Sequence, residues 1–534
     1  MKKIILLIIT CFLLLPVVAS ADSLGERRNF YIDSSYDLNK RNNINAVLLK
    51  ITPKAYFYAD ENWWNLTPQN QIYAALSSLG DEFDNKIYPV LTANFGSEWA
   101  PGIDKDDRIT VLIHPMIKDA GGYFRSNDEY LKLQVPGSNE REMVYFNSDR
   151  LKESNAKSFL AHEFVHLITF NQKNKIYGVE EETWLNEMRA EYAPTLLGYD
   201  DVFIGSYLQN RVQIFYDNPF DSITEWNNAK TDYGVINLFV QYLVDHYGKA
   251  ILIDSLHSSN IGINSINYAL QKNGVNKDFS QIFTDWTIAV FVNDCNFGQN
   301  YCYLNKNLKD LHVYPRINFL PLSGQSILSV TETAKDWSGN WFKIIGGKGD
   351  GKLSFVSNSE VRFILPYIIQ KNNGSYLINF LDLAGKQKGE INILDFGKDN
   401  IALIIIPSTQ IKTSDFGSSE LSYSFTFTVS ASGKSSSSNN QNTPANFSFQ
   451  KNLYFGMLDQ DVVYLKAILA AEGCVSGLAN TTYFGPKTLA AVKCFQNKYK
   501  LEISAAAGYT IKGTGFVGVG TKTKLNNLLN LTGE

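Results

Sequence analysis

Two histidines flank a glutamate at a spacing that suits metal-assisted chemistry, because His162, Glu163 and His166 form an H-E-x-x-H pattern. They lie in the apolar-periodic segment 158–170, which predicts a helix. Since positions i and i+4 share one face of a helix, both imidazoles can bind one metal ion, with Glu163 beside them as general base. Such an ion turns water into a hydroxide-like nucleophile at neutral pH. The alternative is an ordinary buried helix face with two hydrogen-bonded histidines.

A candidate third ligand follows downstream. A catalytic zinc ion takes three protein ligands and keeps one position open for water. Twenty residues separate His166 from Glu187, enough for a turn and an antiparallel second helix. Glu191 lies four positions later and points the same way, so it is a candidate to accept the other N–H of a metal-bound histidine. The alternative is a solvated acidic face, since segment 180–182 is acidic too, but apolar neighbours such as Trp184 favour burial.

The two motifs together, H-E-x-x-H at 162–166 and W-L-N-E-x-x-A-E-Y at 184–192, resemble the gluzincin metallopeptidases. Within that group they look most like secreted bacterial enzymes of the hyicolysin type. Further segments that read like the same family are 95–96, 101–104, 108–112, 122–124 and 138–143. The resemblance extends over about residues 40 to 300.

This resemblance implies an α+β gluzincin-type catalytic domain, made of a mixed sheet and a helical half, with one Zn²⁺ per chain. By the resemblance His162, His166 and Glu187 bind the metal and Glu163 is the general base. The interval between the second histidine and the glutamate is longer here than in the aminopeptidases of the same clan. That difference leaves Glu182 open as an alternative ligand.

The resemblance also points to a tyrosine. Gluzincin aminopeptidases have a catalytic tyrosine that opens a helix after the third ligand, and Tyr233 begins a similar segment, 232–243. A phenol O–H that donates to the tetrahedral oxyanion would stabilise the charge that develops there. The alternative is a core tyrosine at a helix start, in a chain with 29 tyrosines. His246, on the same predicted helix, is a second candidate.

The absence of one aminopeptidase motif bears on whether the enzyme cleaves inside a peptide or at its end. The aminopeptidases hold the substrate's amino terminus with a G-A-M-E-N sequence, and this chain has none. Segment 142–146 predicts a strand shortly before the metal helix, and in gluzincins that strand pairs with extended substrate. Cleavage inside a protein or peptide is therefore favoured over trimming of its ends. Glu140 and Glu142 remain open as carboxylates that hold an amino terminus.

The first 21 residues have the features of an export signal. They combine a basic start, an apolar run and an A-x-A end at 19–21, which predicts cleavage before Asp22 and a secreted or envelope location. An uncleaved anchor is the alternative, disfavoured by a short apolar stretch that contains Pro16. After removal of the signal, no segment of the sequence is expected to span a membrane. The net charge of −4, without a basic patch, argues against nucleic acid as a partner.

Export makes the remaining cysteines a question of disulfides. Four are left after the signal: Cys295, Cys302, Cys474 and Cys494. Sequence alone allows three connectivities. Proximity and domain organisation favour Cys295–Cys302 and Cys474–Cys494. Zinc binding by cysteine is disfavoured because the chain has no C-x-x-C pair.

A chain of 534 residues is too long for a single domain, and its pattern of apolar and turn residues changes along its length. Residues 22–305 are predicted as the metallopeptidase domain, with periodic segments that indicate helices at 156–172, 183–197, 234–247, 262–273 and 278–292. Residues 306–430 contain short apolar strands between turn residues, which predicts a β-sandwich-like accessory domain. Residues 431–449 are rich in Ser and Asn and predict a flexible linker. Residues 450–534 are predicted as a small three-helix domain.

The C-terminal segment resembles the peptidoglycan-binding three-helix domain of bacterial cell-wall proteins. Its F-G-P-K-T and V-G-V-G-T sequences, at 484–488 and 517–521, form an imperfect internal pair, each before a short amphipathic helix. The resemblance implies docking to peptidoglycan. The alternative is a helical module that binds another protein or acts as a spacer.

The sequence therefore favours a secreted or envelope-attached zinc endopeptidase with a peptide substrate. One alternative is a peptidase of murein cross-links, suggested by the C-terminal segment. A second is a non-catalytic envelope binding protein, which the intact ligand set and Glu163 disfavour.

Overall fold

A computed structural model of the chain describes residues 21–383, 385, 387–433, 447–474 and 481–530. The predicted signal peptide lies outside the described residues apart from its last position, and so does most of the predicted linker. The chain divides into two compact units, Met1–Glu180 with Ala193–Tyr199, and Glu181–Tyr192 with Asp200–Glu534.

A six-stranded sheet organises the first unit. Its strands are β1 Arg27–Tyr31, β2 Asn43–Ile51, β3 Ala55–Asp60, β4 Ile109–His114, β5 Gly122–Phe124 and β6 Met143–Asn147. Their order across the sheet is β1-β2-β3-β4-β6-β5. The β3–β4 and β4–β6 pairs are parallel and the others are antiparallel. Every residue of β3, β4 and β6 is buried, as expected for strands covered on both faces.

The strand order corrects one expectation from the sequence. Segment 142–146, predicted to pair with extended substrate, falls largely in β6, whose two edges are bonded to β4 and β5. The short strand β5 instead ends the sheet. This order was not predictable from the sequence, because β5 is only three residues long and precedes β6 in the chain.

Helices cover this sheet. They are α1 Glu61–Asn65, α2 Gln69–Glu82, α3 Tyr88–Phe95 and α4 Ala156–Phe170. Single π-helical segments, Phe83–Ile87 and Asn171–Ile176, follow α2 and α4. Helix α4 carries the H-E-x-x-H pattern, and almost all of its side chains are buried because its sequence is apolar nearly all round.

The next helix along the chain, α5 Thr183–Leu196, contributes residues to both units. The second unit continues with the helices α6 Tyr207–Asp217, α7 Lys230–Tyr247, α8 Ala250–Leu256, α9 Gly262–Lys272 and α10 Phe279–Val292. Helix α10 begins with a capping box in which Asp278 and Gln281 satisfy each other's backbone N–H groups. The predicted disulfide Cys295–Cys302 is present shortly after α10.

The second unit then turns to strands. These are β7 Arg316–Leu320, β8 Ser326–Lys335, β9 Phe342–Gly346, β10 Gly349–Ser357, β11 Phe363–Ile364, β12 Pro366–Lys371, β13 Tyr376–Phe380, β14 Lys388–Phe396, β15 Asn400–Ile405, β16 Ser408–Thr409 and β17 Ser422–Ala431. Nine of them form one sheet, and β11 pairs with β16. Alternate residues of β10 are buried, so one face of that strand lines the core. The predicted sandwich arrangement stays a prediction.

The C-terminal part of the second unit is helical. Its helices are α11 Gln460–Ala471, α12 Pro486–Lys498, α13 Lys500–Ala507 and α14 Val519–Asn530. Four helices are described where three were predicted, because the backbone leaves helical geometry at Tyr499 (φ −108°, ψ 29°) between α12 and α13. The second predicted disulfide, Cys474–Cys494, is present here. Within the described parts of the chain, no helix combines the length and the apolarity that a bilayer crossing requires.

Candidate metal centre

The two histidines of α4 direct their ring nitrogens toward one point. The Nε2 atoms of His162 and His166 lie 3.1 Å apart, and the two rings are nearly perpendicular. Both side chains are buried. The helical period explains this arrangement, since residues four apart stack on one face of the helix.

Glu187 of α5 completes the group. One ligand atom from each of His162, His166 and Glu187 lies within 4.8 Å of the other two. Two imidazoles and one carboxylate are the donor set of many catalytic zinc sites, which keep a fourth position for water. The residues present therefore fit a zinc ion. The structure brings together the three side chains that the sequence predicts as ligands, and their role in ligation stays a prediction.

Packing holds α4 in place behind the histidines. The ring of Phe164 meets Phe83 edge-on at 5.1 Å and stacks on Tyr88 at 5.5 Å. Both partners come from the segment that follows α2; Phe83 and Phe164 are buried, and Tyr88 is half-buried. The histidines are thus carried by a helix that is fixed through aromatic contacts on another of its faces.

Glu163, the predicted general base, lies against the start of strand β5. A Cβ built on Gly122 would come within 2.9 Å of Glu163 Cγ and 2.5 Å of the carbonyl oxygen of Tyr145. The preceding Gly121 makes the same kind of approach to Phe159, one turn earlier on α4. The two glycines let strand β5, at the edge of the sheet, approach the side of α4 that carries Glu163.

Glu191 is buried and engaged by three side chains of the second unit. Arg211 donates to both of its carboxylate oxygens at 2.7–2.8 Å, and Tyr207 and Asn237 donate at 2.6 and 3.0 Å. A bidentate arginine and two neutral donors thus satisfy both oxygens of this buried carboxylate. Glu191 therefore ties α5 to α6 and α7. Its predicted bond to a metal-bound histidine stays a prediction.

Tyr233 lies in the first turn of α7. Its hydroxyl donates to Asn228 Oδ1 at 3.4 Å, and its ring packs edge-on against Trp226 at 4.8 Å. The guanidinium of Arg211 lies 4.8 Å from the centre of the same ring. One cation thus contacts both Tyr233 and Glu191. The catalytic role of Tyr233 stays a prediction.

Two other candidates have structural partners. The carboxylate of Glu182 accepts hydrogen bonds from Trp184 Nε1 and from the backbone N–H of Asp415, and this residue is not part of the His-His-Glu group. His246 Nε2 lies 2.9 Å from the carbonyl oxygen of Cys302, next to the disulfide.

The carboxylates considered for amine binding differ in exposure. Glu142 is 3% exposed, and its Oε1 accepts from the backbone N–H of Ile103. Burial raises the pKa of Glu142 to about 7. Glu140 is half-buried and accepts from the backbone N–H of Lys132.

Sequence reasoning missed Arg211 and gave Gly122 no separate role. Arg211 belongs to no motif, and its only sign is a charge at i+4 from Tyr207 in a short amphipathic segment. Gly122 is the first residue of segment 122–124, which resembles the family only as a whole. Both act through contacts with residues distant in sequence, which periodicity does not reveal.

Comparison with known proteins gives one similarity in sequence. The chain is 29% identical over 220 residues to the neutral metalloprotease ShpI of Staphylococcus hyicus, covering 35% of this chain and 48% of that protein. It thus spans about half the length of this curated relative. The similarity supports a relationship to a metalloprotease and, with it, a metal cofactor. No family model matches the chain.

Two of the solved structures to which the chain compares illustrate weak likenesses. The pre-peptidase C-terminal domain of a collagenase from Bacillus anthracis covers 22% of this chain and 95% of its own, at 8% identity and a TM-score of 0.16. The Yersinia pseudotuberculosis-derived mitogen covers 20% of this chain and 85% of its own, at 11% identity and a TM-score of 0.14. Scores this low carry no argument about fold or function.

Proposed function

We propose that the chain is a zinc-dependent endopeptidase that acts outside the cytoplasm. The observation that carries this proposal is the convergence of His162, His166 and Glu187, with Glu163 next to His162 on the helix that carries both histidines. The sequence similarity to a neutral metalloprotease supports the same class of chemistry.

The chain's own residues have separate roles in this proposal. A zinc ion held by His162, His166 and Glu187 would supply a water of lowered pKa and a polarised peptide carbonyl. Glu163 takes the proton of the attacking water and later delivers it to the leaving amine. Tyr233 donates a hydrogen bond to the oxyanion. Both imidazoles must be neutral to act as ligands, so activity should fall in acid.

The proposed substrate is an extended segment inside a peptide or protein. Strand β5 ends the sheet, and a peptide can add to such a strand through backbone hydrogen bonds. Gly122, the first residue of β5, adjoins Glu163, so a peptide along this strand would pass the general base. The absence of a G-A-M-E-N sequence supports cleavage within the chain rather than at its amino terminus.

We further propose that the enzyme is exported and bound to peptidoglycan. The signal-like residues 1–21 support export, and the resemblance of segment 450–534 to wall-binding domains supports the partner. This segment has a hydrophobic core of its own, which includes Leu465, Phe484 and Phe495. Such a core suits a module that docks a catalytic domain to a surface.

The decisive experiment combines metal content with peptide cleavage. Purified protein should contain about one zinc ion per chain and cleave internal bonds of a quenched peptide library, and a chelator should abolish cleavage. Glu163→Gln should keep the zinc and lose hydrolysis, by about 10²-fold or more, because the variant lacks a general base. Glu180→Gln, an exposed carboxylate, is the matched control and should behave like wild type.

Each possible result bears on the proposal. A Glu163→Gln variant that turns over normally would overturn the mechanism, and a wild-type protein without stoichiometric zinc would overturn the metal centre. Purified murein and casein, offered as separate substrates, distinguish a murein cross-link peptidase from a general endopeptidase. A protein that binds murein and zinc but cleaves neither substrate nor library would be the non-catalytic binding protein.

A further inference from the structure

Glu182 stands just before α5, and both of its carboxylate oxygens accept hydrogen bonds. Trp184 Nε1 donates to Oε2 at 2.6 Å, and the backbone N–H of Asp415 donates to Oε1 at 2.9 Å. Gly262, where α9 begins, leaves room for this group, since a Cβ there would lie 2.2 Å from Oε2. The carboxylate thus ties the entrance of α5 to a residue of the strand-rich part of the second unit.

Asp415 belongs to the loop 410–421, which joins β16 to β17 and is held firmly at its base. The carboxylate of Asp336 accepts from the backbone N–H groups of Ile411 and Lys412 at 2.7–3.0 Å. Trp337 Nε1 donates to the carbonyl oxygen of Lys412 at 2.7 Å. A loop with this many fixed backbone groups can act as a rigid support.

The loop also packs against the first turn of α5 through an aromatic contact. Phe416 meets the ring of Trp184 edge-on at 6.0 Å, and Phe279 contacts the same indole at 5.6 Å. Trp184 is 1% exposed. A buried indole between two rings, with its N–H bonded to Glu182, allows the first turn little freedom.

The same loop reaches the segment that precedes α7. The carbonyl oxygen of Gly417 accepts from the backbone N–H of Trp226 at 3.0 Å, and the N–H of Glu420 donates to Glu225 Oε2 at 2.7 Å. Trp226 in turn packs on Tyr233. One loop therefore supports both helices that carry predicted site residues of the second unit.

We propose that Glu182 is a positioning residue, which couples the loop 410–421 to the first turn of α5 and thereby holds Glu187 in place for the metal. This inference rests on the proposed function, in which Glu187 is the third ligand. Glu187 follows Glu182 by five positions, about one and a half helical turns. Groups that hydrogen-bond a metal ligand directly typically contribute a factor of about 10–100 to metal affinity, so a residue that acts through the first turn of the helix should lie at the lower end of that range.

The test compares carboxylate variants at two neighbouring positions. Glu182→Ala removes both acceptors, and Glu180→Ala removes an exposed carboxylate as the matched control. The full chain is used, and the readouts are the zinc dissociation constant from chelator competition, kcat and KM at saturating zinc, and the melting temperature without zinc. We expect about a 10-fold weaker zinc affinity and a lower kcat for Glu182→Ala. Glu180→Ala should match wild type, and Glu182→Gln, which keeps one acceptor, should lie in between.

A second pair of variants tests the loop without touching Glu182. Phe416→Ala removes the ring that packs on Trp184, and Phe380→Ala removes an exposed ring at the end of β13. We expect Phe416→Ala to weaken zinc binding in the same direction as Glu182→Ala, and Phe380→Ala to leave it unchanged. If Glu182→Ala does not fold, this pair alone tests whether the loop 410–421 contributes to zinc affinity.

The outcomes separate this inference from the proposed function. Zinc affinity at the wild-type level in both Glu182→Ala and Phe416→Ala would overturn the positioning role. A loss of melting temperature in these variants without any change in zinc affinity would overturn it too, because the contacts would then serve stability alone. Zinc affinity at the wild-type level in Glu187→Ala would instead overturn the proposed function, because Glu187 would then not be a ligand.

Discussion

At the scale of single residues, the proposed general base depends on a glycine that has no functional group. Glu163 and Gly122 are so close that a methyl group at position 122 would overlap the carboxylate side chain. The same methyl group would also meet the carbonyl oxygen of Tyr145, which is backbone and has little freedom to move. Position 122 therefore determines whether the carboxylate can lie beside the strand that is proposed to bind substrate.

We expect Gly122→Ala to lower kcat/KM by about 10²-fold, because a displacement of the base by about 1 Å has effects of that size. Overpacking should also lower the free energy of unfolding by about 1–3 kcal/mol. Peptide cleavage and thermal unfolding measure the two effects. Gly385→Ala is the control, since a Cβ there has no neighbour within 4 Å. Wild-type kcat/KM in Gly122→Ala would contradict the argument.

The residue scale also shows what the sequence could predict. His162, Glu163 and His166 could be assigned to one helix face because the helical period fixes their relation. Glu187 could be proposed from its motif and from the need for a third ligand. Gly122 could not be singled out, because its importance comes from the approach of a strand to a helix that lies far along the chain.

At the scale of elements, Arg211 connects the two helices that carry the predicted residues of the second unit, α5 and α7. It belongs to α6, donates bidentately to Glu191 of α5, and lies over the rings of Tyr207 and of Tyr233 in α7. Its side chain is 11% exposed and that of Glu191 is fully buried. Removing one partner of such a pair leaves an uncompensated buried charge.

We expect Arg211→Met to lower the free energy of unfolding by about 3–5 kcal/mol, because it strands the carboxylate of Glu191. Adding Glu191→Gln should restore part of this loss, so the double-mutant cycle should show a coupling of about 1 kcal/mol or more. Denaturant unfolding of the single and double variants measures it. Arg27→Met, at an exposed ion pair with Glu61, should change stability by less than about 1 kcal/mol. Strictly additive losses would speak against the coupling.

Elements differed in how well the sequence predicted them. Long periodic segments predicted α4, α5, α9 and α10 to within a few residues, because an amphipathic or apolar period is a local property. The position of β6 inside the sheet was missed, because strand order is set by pairing between distant segments. The break at Tyr499 between α12 and α13 was not predicted either, because no proline or glycine marks it.

At the scale of the whole molecule, the second unit joins chain segments of very different composition. Trp341, in the region predicted as a separate β-rich domain, donates its indole N–H to the carbonyl oxygen of Thr287 in α10 at 2.8 Å. Trp337 packs against Phe279 and Phe283 of the same helix at 5.1 and 5.4 Å. The sequence pattern could locate the change from predicted helices to predicted strands near residue 306. It could not show these buried contacts, which depend on which faces meet.

The first unit contains a buried acidic pair that should affect the stability of the whole protein. Glu129 and Glu142 are both almost fully buried. Burial, and after it the charge of Glu142, raises the pKa of Glu129 well above its ordinary value. Burial likewise raises the pKa of Glu142 to about 7. Folding therefore favours the protonated form of these carboxyl groups over the ionised form.

The sign of the resulting pH dependence follows from the raised pKa. Glu142 in the unfolded chain has a pKa near 4.5, so between that pH and about 7 the folded state binds more protons than the unfolded state. The free energy of unfolding should therefore fall as pH rises through this window, by about 3 kcal/mol at most. Glu142→Gln keeps an acceptor for Ile103 and cannot ionise, so it should flatten this fall when melting temperatures are compared from pH 4.5 to 8. Glu153→Gln, at an exposed position, should keep the wild-type slope. If the melting temperature of Glu142→Gln falls with pH as steeply as that of the wild type, groups other than Glu142 govern the pH dependence of stability.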